Sequence, residues 1–127
     1  MNFIPAKRKK VRTKEVEKRE FPQHRRFVRK RVCAVYGASS EPCSFRSECA
    51  HVRAGLPEGE QAGVSQKPHD AFTVPLCSYH HREQHRIGEP AFERKYGVRL
   101  LNTALALARI SPCEAVKSKA KLLGENT

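Results

Sequence analysis

The sequence has no tryptophan, one methionine and one aspartate, Asp70, in 127 residues. Its 39% hydrophobic and 7% aromatic content suffices for one modest core and excludes two independent ones. No apolar run approaches the roughly 18–20 residues of a membrane span. The opening MNFIPAKRKK has neither an apolar h-region nor a cleavage site for secretion. A soluble cytoplasmic protein without a membrane partner is expected. Negative charge is also scarce, with 13 acidic against 25 basic residues and a net charge of +12, so polyanionic partners are expected. The five cysteines are an odd count, and in a reducing compartment thiols close to histidines serve as metal ligands more often than as disulfides. A core this small usually needs a staple, and zinc is the expected one.

The charge is unevenly placed. Residues 1–32 hold 13 of the basic residues against Glu15, Glu17 and Glu20, and so carry +10 of the net +12. Apolar residues in this stretch are too sparse to offset the entropy of ordering it alone. A basic arm is expected, disordered or partly helical, with Glu15 and Arg19 four apart supporting a frayed helix. Its reading is a phosphate-binding arm whose affinity falls steeply with salt.

From residue 33 to 97 the composition changes. Four of the five cysteines and five of the six histidines lie between Cys33 and His85. Residues 54–70, rich in Gly, Pro and polar side chains, predict a long loop, and AFTVPLC (71–77) a short strand. SYHHREQHR (78–86) predicts a helix ending at Gly88, and GEPAFERKYG another, with Pro90 near its start and Gly97 at its end. In residues 98–127, VRLLNTALALARI predicts a core-packing helix. Ser111, Pro112 and Glu114 read as a capping box opening a final basic helix that stops before Gly124.

The segment LCSYHHREQHR (76–86) offers two ligand pairs. His81 and His85 lie about 40° apart around a helix and can reach one ion, whereas Cys77 and His80 point about 90° away and can serve another. A structural zinc takes four N or S ligands, so C-x2-H needs two more from upstream. Cys33 and Cys43 are favoured, with Cys49 the alternative. His51 stands alone in CAHVR. Asp70, just ahead of the predicted strand, can bind a divalent ion, orient a histidine or open a turn.

In order, Cys33, Cys43, AHVR with His51, a Gly-rich loop, KPHD with Asp70, TVPLC with Cys77, and HHREQH resemble the HNH, or ββα-metal, endonucleases. The resemblance is nearest to small prophage nucleases related to the phage recombination-enhancement nuclease. It covers residues 33–97 and implies an α+β, zinc-stabilised ββα-metal domain between the arm and C-terminal helices. It implies a metal-dependent endonuclease that nicks or cleaves DNA with weak sequence specificity, in a bacterial or phage-infected cell and alongside host or phage recombination proteins. His51 would be the general base. His81 and His85, with Asp70, would hold Mg²⁺ or another divalent cation. Cys33, Cys43, Cys77 and His80 would hold Zn²⁺. The pattern departs from that family in three places: His80 stands where a second Cys of C-x2-C is more usual, Asp70 is the nearest substitute for the Asn of the motif, and Ala50 occupies a position that often carries a metal ligand. Arg53, Lys67, Arg82 and Arg86 flank these residues and are the candidate phosphate contacts. The alternative is a non-catalytic zinc-binding nucleic-acid module or a degenerate accessory factor.

Overall fold

The computed structural model describes residues 17–38, 42–44, 46–63 and 66–125. Its elements are α1 (Pro22–Arg29), β1 (Ser47–His51), β2 (Thr73–Cys77), α2 (Ser78–Ile87), α3 (Glu89–Tyr96), α4 (Leu100–Arg109) and α5 (Glu114–Glu125). The two strands pair antiparallel, Ser47 opposite Cys77 and His51 opposite Thr73. The result is a small α+β domain in which a two-stranded sheet runs directly into a helix. No helix among the described residues is long and apolar enough to cross a membrane.

All five residues of β2 are buried, as TVPLC requires of a strand covered on both faces. Phe72, Val74 and Leu76 join Val52, Phe92, Leu100 and Ala104 in the main core. A second cluster, Ala71, Ala108, Cys113, Val116 and Ala120, seats α5 against α4, with Phe21 packed on it. Gly97, at φ +67°, ends α3 in the left-handed conformation, where a Cβ would be strained. Gly88, also at positive φ, separates α2 from α3. These boundaries follow the expected ones closely.

Two expectations are corrected. The final helix begins at Glu114 and runs on through Gly124. Ser111 therefore lies outside it, its Oγ accepting the Cys113 N–H (3.0 Å) and meeting His24 Nδ1 (2.8 Å). The basic stretch, where described, is no detached arm. Val28 and His24 are fully buried, the Asp70 N–H donates to the Arg19 carbonyl (2.9 Å), and α1 packs on both strands. The few apolar residues that could not order the stretch alone do so against the sheet. Of the pair expected to support a frayed helix, Arg19 precedes α1 in irregular chain and Glu15 lies outside the described residues.

Candidate functional site

At the junction of β2 and α2, Cys77 ends the strand and caps the helix, its Sγ accepting the His80 N–H (3.4 Å). Cys33 reaches the same point from the turn after α1, because the Ala34 N–H pairs with the Pro75 carbonyl (2.7 Å). The Sγ atoms of Cys33, Cys43 and Cys77 lie 3.6, 3.7 and 3.1 Å from His80 Nδ1. All four donor atoms fall within 4.8 Å of one another. Around a tetrahedral zinc, bonds of about 2.3 Å to sulfur and 2.0–2.1 Å to nitrogen separate S and N by about 3.5 Å. The donor set thus fits such an ion without rearrangement.

The thiols are not equivalent. Burial pushes Cys77 up, but hydrogen bonds from Ser44 and from His80 outweigh it and bring the thiol down to about 6. Burial, reinforced by Cys33, pushes Cys43 up to about 12. Cys77 is thus the thiol most easily ionised, and an ion would draw off the remaining protons. Cys49, the alternative ligand, sits opposite Pro75 on β1 and is not part of the cluster.

His51 closes β1 and meets Asp70, its Nε2–H donating to Oδ1 (2.8 Å). Asp70 Oδ2 accepts from the Phe21 N–H (2.7 Å) and from Arg25 (2.5 Å). The aspartate side chain is only 2% exposed, so this carboxylate is fully engaged. Burial would push its acidity down, but the bonds from His51 and Phe21 and the Arg25 charge hold its pKa below the ordinary range. An ionised Asp70 keeps the proton on His51 Nε2 and leaves Nδ1 to accept one. The pair borders a hollow of about 480 Å³ also lined by Arg19, Arg25 and Lys67, with Glu20 at its edge.

The histidines of α2 stand elsewhere. His81 and His85 have ring centroids 5.1 Å apart and line a separate hollow with Arg82 and Arg86. His81 Nδ1–H donates to Glu48 Oε1 (2.7 Å), which orients its other nitrogen outward. Among the described residues, the only group of three or more converging potential ligands is the Cys3His cluster. Asp70 therefore does not join His81 and His85 as expected, because its oxygens are held by His51, Phe21 and Arg25. Of the candidate phosphate contacts, Lys67 borders the His51 hollow and Arg82 and Arg86 the His81 hollow, whereas Arg53 lines neither and donates to the Gln66 carbonyl (2.7 Å).

Sequence reasoning missed Arg25, the Phe21 N–H and Glu48. No local signal marks them, since the first two reach Asp70 across 45 and 49 residues and Glu48 reaches His81 across 33. His24 was also missed. It is buried beside Ser111, its Nε2 lacks a hydrogen-bond partner, and burial holds its pKa down at about 4.

Comparison with known proteins adds relationship without activity. No solved structure matches the chain. The "Uncharacterized protein YdfU" of Escherichia coli (strain K12) is 35% identical over 81 residues, which cover 64% of this chain and 22% of that protein. The chain thus spans about a fifth of this relative's length. The family model described as "Protein of unknown function (DUF968)" matches residues 7–110, the dyad, the cysteine cluster and the α2 histidines included, and the protein belongs to that family.

Proposed function

We propose that the protein is an HNH-type endonuclease that hydrolyses phosphodiester bonds of DNA. The observation that carries this reading is the His51–Asp70 pair, buried on the carboxylate side and opening on a hollow bordered by Arg19, Arg25 and Lys67. Such a pair takes a proton from water while neighbouring cations hold the phosphate against it. Asp70 fixes the ring and balances the charge that forms on it. Arg25, shared between Asp70 and the hollow, keeps the carboxylate from moving toward substrate.

The Cys3His cluster, occupied by zinc, would tie the end of β2 and the start of α2 to the turn at residue 33, and so keep His51 in register. His81 and His85 are the residues to hold a catalytic divalent ion, Mg²⁺ or a transition metal, which would neutralise charge developing on the phosphate. A second reading, a non-catalytic zinc-binding nucleic-acid module, is favoured by the separation of those histidines from the His51 hollow.

A plasmid-nicking assay with Mg²⁺, Mn²⁺ or Ni²⁺ tests both. The nuclease reading expects metal-dependent nicking that His51→Ala and His85→Ala abolish while zinc content and fold persist. Absence of nicking with every ion, or undiminished nicking by His51→Ala, overturns it.

A further inference from the structure

Beside the Cys3His cluster lies a larger hollow of about 720 Å³. It is bordered by Arg29, Lys30, Arg31 and Arg46, and none of its described lining residues is acidic. Within this cationic rim stand two exposed apolar side chains, Val32 (72% exposed) and Tyr36 (71%). A tyrosine left this bare beside a structural centre contributes nothing to the core. Four cations around an exposed aromatic face match a polyanion that also carries flat rings.

This hollow and the one at His51 share a single surface. Ser47 borders the first and His51 the second. They occupy alternate positions of one strand, with Cys49 between them, so all three face the same way about 13 Å from end to end. Along α1, Arg25 borders the His51 hollow and Arg29 the larger one. At four residues' separation they lie on one helix face about 6 Å apart. The helix that carries them packs on β1, which sets this row of charge beside the strand.

We propose that this surface is a track for a single nucleic-acid strand, which runs from the His51 hollow along α1 and stacks an unpaired base on Tyr36 beside the cysteine cluster. The proposal rests on the nuclease reading for its end at His51 and names the substrate class as DNA with an unpaired segment. A paired base would keep its faces within the duplex stack and could not lie on the ring. An acidic protein segment could meet the cations but would gain little from the tyrosine.

Fluorescence anisotropy on the full chain tests this, with a short oligothymidylate, a duplex of equal length and polyglutamate, in a His51→Ala background that prevents cutting. Tyr36→Ala should weaken oligothymidylate binding about tenfold or more and leave duplex binding within about twofold. Tyr36→Phe should bind like the parent, since stacking needs the ring and not the hydroxyl. Arg29→Gln with Arg46→Gln should lower the log–log salt slope by about 1.4, about 0.7 for each lost single-strand phosphate contact. Unchanged binding by Tyr36→Ala, equal weakening on duplex, or polyglutamate binding with the same sensitivity to Tyr36→Ala would overturn the track. Nicking by the chain with His51 intact is scored separately. Nicking with unchanged Tyr36→Ala binding overturns the track and leaves the nuclease reading standing. Tyr36-dependent binding without nicking does the reverse.

Discussion

Replacing Cys77 with serine removes the donor shared by strand, helix and metal cluster. Its Sγ is the closest of the three thiols to His80 Nδ1, and it caps α2 through the His80 N–H. Structural zinc in small domains is worth about 10–16 kcal/mol at pH 7. The whole stability of a domain is about 5–15 kcal/mol, so loss of the ion leaves little or nothing to hold the fold. The expected result is about one zinc per parent chain by elemental analysis, no bound zinc in Cys77→Ser, and loss of the cooperative urea transition. Cys49→Ser, outside the cluster, is the control and should retain both. A Cys77→Ser protein that kept its zinc and its urea midpoint, or a metal-free parent that melted normally, would refute the reasoning.

Three further outcomes follow from the same geometry. Asp70→Asn should lower any nicking rate about 10- to 100-fold while the zinc stays bound, because the amide no longer fixes the His51 ring and its charge; a rate equal to the parent's would remove Asp70 from the mechanism. His24, held at about 4 by burial against an ordinary 6.5, is neutral in the fold and charged in the unfolded chain between those values. Its contribution to stability is therefore full above about 6.5 and lost as pH falls toward 4, up to about 2 kcal/mol at pH 5, and His24→Gln should flatten urea midpoints across that range. His69, also held down by burial, adds a slope of the same sign that the variant retains. Finally, Val28→Ala should cost about 1–3 kcal/mol as a core truncation, whereas a detached arm would show no change in the urea midpoint.

Much of the local architecture was legible in the sequence because it rests on short-range chemistry. Pro90 and Gly97 bracket a helix through fixed φ and the left-handed cap, and TVPLC is a buried strand because its residues are apolar or β-branched. The ligand pair Cys77 and His80 needed only its three-residue spacing. Cys33 and Cys43 rather than Cys49 converge on that pair for a spatial reason, since the turn after α1 reaches Pro75 across the sheet edge.

What the sequence by itself determined, then, was the run of elements from residue 71 onward and a candidate four-donor cluster, both consequences of contacts within a turn or of a ligand count, whereas α1 was not among them. Tertiary structure alone decided where the charges go. It drew residues 19–29 onto the sheet, set Arg25 and the Phe21 N–H on Asp70, and so turned a presumed metal ligand into the partner of His51. It also put His81 and His85 in a separate hollow, with Glu48 as the carboxylate of His81. The physical reason is common to all of these. A lone buried carboxylate must find its donors wherever the folded chain supplies them, and at separations of 19 to 49 residues no periodicity or propensity announces which they will be.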